Sequence, residues 1–214
     1  MKKSLTISLI FVLINLLSPW FWVLVKNFSS FKVSKADWYQ FKNESRIYQI
    51  NTLRGEAQTQ GFGFLGKLAV NKYTWNFKEI LGRAEESFDP YFLFFKGDLE
   101  VKRSSWVFGP VYWFLAPFSL SGLLLLTRQK RIQVLILGLF LAFSGGLFEQ
   151  HYFSSPRMPL FLLFNWLSTL GLKHLFSKKG YRGLKLGWIF LAFFEVSRFI
   201  HDFFLHYPNR MISG

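Results

Sequence analysis

Five apolar runs organise the chain: Leu5–Val25, Phe108–Leu126, Ile132–Phe148, Pro159–Leu175 and Leu186–Phe204. A bilayer core of about 30 Å is crossed by about 20 apolar residues in a helix, with a range of about 17–25. Each run is near that length. The pattern therefore predicts an all-α, polytopic membrane protein with about five transmembrane helices. It divides into an N-terminal transmembrane anchor over 1–26, an extracytoplasmic loop region over 27–105, and a four-helix transmembrane region with a short outer C-terminal tail over 106–214.

The loop region carries a different periodicity. Phe77, Ile80, Leu81, Ala84 and Phe88 recur at helical spacing, with Lys78, Glu79, Arg83, Glu85 and Glu86 elsewhere on the wheel. This predicts an amphipathic helix in the interface plane, its apolar face in lipid or against the spanning helices. Phe64–Val70 predicts a shorter second one. Pro90 ends the longer helix, and Lys96-Gly97-Asp98 reads as a turn.

Charge sets the orientation. Lys and Arg number 26 against 12 Asp and Glu, a net +14. Three short acid-free segments hold most of the excess: Lys2 and Lys3; Arg128, Lys130 and Arg131; and Lys173, Lys178, Lys179, Arg182 and Lys185. Short basic segments stay in the cytoplasm, which five spans satisfy with the N-terminus inside and the C-terminus, from about His206, outside. Topology thus accounts for the basic excess, and no nucleic-acid partner is expected. The first apolar run exceeds the 7–15 residues of a signal-peptide core, and no small-x-small cleavage site follows it. Pro19-Trp20-Phe21-Trp22 marks its outer end as a headgroup-level belt, so a retained anchor is expected. The absence of cysteine excludes disulfides, thiolate chemistry and Cys-based metal sites.

Motif chemistry is sparse. There is no Walker loop, dinucleotide fingerprint, zinc-protease helix or nucleophile elbow. Gly61-Phe62-Gly63 lacks the lysine-serine ending of a phosphate loop. His151, His174, His201 and His206 read as interfacial histidines, although His201 and His206 lie near each other. No metal site and no cofactor are expected. The informative polar groups lie at membrane depth. Glu195, Arg198 and Asp202 fall within about 60° of one another on a helix of about 100° per residue. Ionisable groups in a span are costly and face protein or a watery cavity. The stripe is either self-satisfied or one wall of a polar site opening outward. Arg157, in Ser154-Ser155-Pro156-Arg157, begins the fourth run on the outer side. There it suits a lipid phosphate, or it snorkels or pairs with Asp202.

A family resemblance runs through these residues from about Arg46 to Arg210. It is carried by Arg46, Arg54-Gly55-Glu56, Asn71-Lys72 and the stretch from Phe88-Asp89-Pro90 to Lys96-Gly97-Asp98. Gly109, Pro117-Phe118, Gly122-Leu123, Ser155-Pro156-Arg157, Pro159 and His206-Tyr207-Pro208 continue it. In this order the chain resembles the carboxy-terminal section of membrane-embedded glycosyltransferases of the GT-C superfamily, in the bacterial protein-mannosyltransferase-like group. The resemblance implies a bacterial plasma membrane, a polyprenyl-phosphate sugar donor on the outer face, and an acidic catalytic residue in the first outer loop of the family's amino-terminal half. That motif has no matching residues here. The expectation is a partial or divergent polyprenyl-phosphate-sugar-dependent glycosyltransferase-like protein without the family's amino-terminal catalytic half. The alternative is a non-catalytic integral membrane protein that binds lipid or a partner membrane subunit. If hexosyl transfer occurs, a general base must deprotonate the acceptor and cations must hold the leaving lipid phosphate. Asp37, Glu44 or Glu56 would supply the base, and Arg157 and Arg54 the cations.

Overall fold

The computed structural model describes residues 2–35, 38, 44–61, 63–64, 69–148, 150–178 and 180–213. Asp37 and most of Phe64–Val70 lie outside the described residues. The helices are α1 (Lys2–Leu17), α2 (Pro19–Lys26), α3 (Glu44–Thr59), α4 (Lys72–Glu86), α5 (Ala116–Leu125), α6 (Arg128–Gly146), α7 (Met158–Ser177), α8 (Arg182–His201) and α9 (Tyr207–Ser213). No strand forms among the described residues, and Trp38 and Phe148 meet in an isolated bridge. The protein is all-α.

Two apolar runs are not single straight helices. The first bends by 58° between Ile7–Leu17 and Pro19–Lys26. Pro19 has no N–H for the preceding turn and forces its neighbour out of the helical region; Ser18 accordingly takes φ −65, ψ 141. The second run yields only the 3-10 turn Trp113–Leu115 and the ten residues of α5. Its first residues are irregular, and the Val111 N–H donates to the Leu93 carbonyl at 3.0 Å. Helices α6, α7 and α8 reach 19, 20 and 20 residues, but each carries polar or charged positions: Arg128, Lys130 and Arg131 on α6, Asn165, Ser168 and Thr169 on α7, and Glu195 and Arg198 on α8. Among the described residues no single helix is long and apolar enough to cross a membrane; the bent pair α1–α2 meets that test together.

Small and polar residues fill the helix crossings. Helix α5 packs along α7 more extensively than any other pair. A Cβ on Gly122 would come within 2.0 Å of the Leu167 carbonyl oxygen, and one on Gly171 within 2.2 Å of the Phe118 carbonyl oxygen. The Ser119 and Ser168 hydroxyls meet at 2.6 Å in the same seam. On α7, Asn165 Nδ2 donates to Asn15 Oδ1 at 2.9 Å and to Ser18 Oγ at 3.3 Å, fixing the bend of the first run. Large apolar side chains point away from the protein. Ile136 and Phe140 on α6 are 61% and 69% exposed, and Phe190 and Phe193 on α8 are each 72% exposed. An aromatic core sits at one end of the bundle, around Phe92, Phe108, Phe161, Phe199, Phe203 and Tyr207.

Helix α4 is the expected amphipathic helix. Asn71 caps it, accepting from the Tyr73 and Thr74 N–H groups at 2.9 and 3.0 Å. The face it turns to α6 differs from the apolar stripe. Asn76, Arg83 and Ala84 are buried, whereas Phe77, Leu81 and Phe88 are exposed. Arg83 turns inward, and its Nη1 donates to the Phe148 carbonyl at 2.9 Å and its Nη2 to Glu79 Oε2 at 3.4 Å, which offsets part of the cost of burying the guanidinium.

Candidate functional site

A polar network forms where α4, the Tyr91–Lys96 π-turn and the start of α7 converge. Arg157 is its centre and is completely enclosed. Its Nε donates to Ser87 Oγ at 2.8 Å and its Nη1 to the Phe153 carbonyl at 2.7 Å. Its Nη2 donates to the Arg83 carbonyl at 2.7 Å and to Glu86 Oε2 at 3.2 Å. The guanidinium lies 5.4 Å from the Phe92 ring centre. Burial pulls the Arg157 pKa down from its usual value, while Glu86 and Asp98 pull it back up. Gly145 on α6 makes the space: a Cβ there would stand 2.9 Å from Arg157 Cγ.

Glu86 joins this interior to the surface. Its Oε2 also accepts the Tyr152 N–H at 2.8 Å, and its Oε1 pairs with His151 Nδ1. Tyr152 takes φ +51, the left-handed region that non-glycine residues seldom adopt. The His151 side chain is 60% exposed. A carboxylate holding Nδ1 orients the imidazole and leaves Nε2 open to exchange a proton. Asp98 closes the other side, accepting the Glu100 and Ser154 N–H groups at 2.9 and 2.8 Å. Burial raises the Asp98 pKa, against the lowering effect of those two hydrogen bonds.

Segments far apart in the sequence meet here. Phe92 lies against the Arg157 guanidinium, and Asp98 holds the Ser154 N–H. Gly97 at φ +74 ends the π-turn and lets its N–H reach the Phe92 carbonyl at 3.0 Å. Gly109 lies so close to this segment that a Cβ would be 2.3 Å from the Leu93 carbonyl oxygen. Tyr207 donates to the Val101 carbonyl at 2.9 Å and accepts from Asn27 Nδ2 at 2.6 Å. Burial pushes its phenol up to about 12. Residues more than a hundred positions apart thus form one unit.

The other candidates are dispersed. Arg54, on α3, donates to the Val70 carbonyl at 2.6 Å. Glu44 and Glu56 are exposed on the same helix. The Arg157 side chain is enclosed and its donors are engaged by protein groups. It does not pair with Asp202, which pairs with Arg210. Within the membrane-depth stripe, buried Glu195 accepts from Arg198 Nη1 at 2.8 Å. The stripe is therefore split: Glu195–Arg198 is one pair, and Asp202–Arg210 another. Sequence reasoning missed Glu86, Asp98 and His151 as a group. Each is ordinary in its local context, and no spacing links residues 65 positions apart.

Two apolar grooves flank the bundle. One, of about 300 Å³, lies between α6 and α7 and is lined by Phe88, Leu135, Gly138, Leu139, Leu163 and Leu167 among others. The other, of about 200 Å³, is lined by Leu13, Tyr112, Phe118, Leu172, Trp188 and Val196 among others, from α1, α5, α7 and α8 and the segment before α5. No group of three or more metal-ligating side chains occurs among the described residues. No family model, no curated protein and no solved structure matches this chain.

Proposed function

We propose that this chain is an integral membrane protein of about five spans, N-terminus cytoplasmic, that provides a lipid-binding scaffold of glycosyltransferase-like type. In this reading it corresponds to the carboxy-terminal section of a GT-C-like enzyme using a polyprenyl-phosphate sugar. The acidic catalytic residue comes from outside the matching section, in a partner membrane subunit or a separate segment. One observation carries the membrane part: small and polar residues occupy the helix crossings while Ile136, Phe140, Phe190 and Phe193 face outward. Water-soluble bundles bury their large apolar residues. Helices in lipid gain nothing from that and pack through small residues and interhelical hydrogen bonds. The lipid-binding part is supported by the groove between α6 and α7, whose lining includes Phe88, the neighbour of Ser87 in the polar network. An isoprenoid chain is apolar along its length and suits a lining of Leu, Val, Phe and Gly.

The polar unit then has a structural and positioning role beneath an exposed His151. Arg157 has its donors turned to Ser87, Glu86 and the Phe153 and Arg83 carbonyls, and Arg54 Nε donates to the Val70 carbonyl, so the groove contributes the affinity through apolar contact. Glu44 and Glu56 stand exposed on α3, away from the Arg157 network.

Photo-crosslinking with a long-chain polyprenyl phosphate tests this reading on the purified full chain. Gly138→Phe fills the groove, and the first atom it meets, Leu163 Cδ2, is 3.7 Å from the added Cβ. Capture of the probe is expected to fall about ten-fold, matching a loss of about 1.4 kcal/mol. Sugar transfer by the isolated chain is expected to be absent or slight. Equal capture by wild type and variant removes the groove, and robust transfer removes the scaffold assignment.

A further inference from the structure

We propose that His201 and His206 form a two-histidine site for a divalent transition metal, with zinc as the ligand to test. On an ordinary α-helix, residues five apart are separated by about 140° and face different directions. Here α8 passes into a π-turn over Asp202–His206, and the Tyr207 N–H bonds the Asp202 carbonyl five residues back. That hydrogen-bond spacing sets residues five apart above one another. The two imidazole centres are 5.4 Å apart, with 55° between ring planes. A metal–nitrogen bond is about 2.0–2.1 Å, and the ring centre lies about 1.2 Å beyond the nitrogen, so two imidazoles at a tetrahedral angle have centres about 5 Å apart. The spacing fits one shared ion.

Three further features favour a ligand. Both residues are exposed on the fold, where α8 ends and the π-turn follows, so no protein group among the described residues covers the pair. Neither ring is engaged by a hydrogen bond among the described residues, unlike His151, whose Nδ1 is held by Glu86. Asp202 beside them is buried and committed to Arg210, so the site is imidazole only. Imidazole pairs select zinc, copper and nickel over magnesium or calcium. No third His, Cys, Asp or Glu joins them among the described residues, so water completes the coordination and leaves exchangeable positions, as in catalytic rather than closed structural zinc sites. π-turns inside α-helices recur at functional positions. The proposal does not rest on the glycosyltransferase-like reading.

Equilibrium dialysis of the detergent-solubilised full chain against zinc sulfate tests it. One zinc per chain is expected, with affinity falling about ten-fold or more in His201→Ala and again in His206→Ala. His151→Ala and His174→Ala should bind as wild type. Thermal midpoints without zinc should be the same in all four variants, and zinc should raise the midpoint only where both His201 and His206 remain. The proposal is overturned by absence of zinc binding, by binding insensitive to either histidine, or by weak multiple binding that declines equally with each of the four.

Discussion

At the scale of single residues, Arg157 shows how enclosure changes a role. From sequence it is an outward arginine suited to a phosphate; in the fold its donors go to Ser87, Phe153, Arg83 and Glu86. Removing one partner of a buried ion pair leaves the other uncompensated, which costs about 3–5 kcal/mol. Arg157→Ala is therefore expected to lose stability on that scale in a detergent unfolding assay. A variant that unfolds like wild type would show that the network carries little of the fold. Asp98 gives a pH-dependent counterpart. Burial raises its pKa above the ordinary 3.8, so the folded state holds the proton more tightly than the unfolded chain. Its contribution is unfavourable above the raised folded value and is relieved as pH falls toward the ordinary carboxyl value. Asp98→Asn cannot titrate. The stability of wild type relative to this variant should increase on acidification from neutral pH, and thermal midpoints at two pH values check the sign. A constant gap would remove Asp98 as the titrating group.

At the scale of elements, helix contacts follow small residues rather than the apolar faces. Gly122 and Gly171 let α5 and α7 approach until backbone touches backbone. Gly122→Ala must push the Leu167 carbonyl away, and overpacking of this kind costs about 1–3 kcal/mol. Ile136→Ala, on the outward face of α6, should change stability by no more than about 0.5 kcal/mol. Paired thermal-shift measurements would invert this order if the bundle buried its large residues in the water-soluble manner. The basic turns have a second use at this scale. Arg131 donates to the Leu123, Leu124 and Leu126 carbonyls at the end of α5, and Lys185 Nζ donates to the Phe176 and Lys178 carbonyls just beyond α7. Cations there meet the negative end of the helix dipole.

At the scale of the whole molecule, the proposed topology places residue 60 outside and residue 178 inside. The chain has no native cysteine, so Gln60→Cys and Lys178→Cys report without background. An impermeant thiol reagent on intact cells is expected to label the first and not the second. The reverse pattern would overturn the orientation, and labelling of both would overturn the number of spans. The exposed faces of α6 and α8 are then lipid contacts. The proposed topology places the polar unit of Glu86, Arg157 and Asp98 on the outer side.

The sequence by itself determined that the protein is helical and that Phe77 to Phe88 carries an amphipathic periodicity, because periodicity is a local property. The bend at Pro19 and the irregular start of the second run lie inside runs that read as single spans, and the structure decided both. The tertiary structure decided what local pattern cannot carry. It turned Arg83 and Asn76 inward and left Phe77 and Phe88 outside, and a carbonyl 65 residues away accepts from the Arg83 guanidinium. It split Glu195–Arg198 from Asp202, because Arg210, eight residues further along the chain, takes the Asp202 carboxylate. It gathered Glu86, His151, Asp98 and Arg157 into one network and gave Arg54 a separate partner. Side-chain partners across long separations depend on how helices cross, and helix crossings depend on the small residues between them.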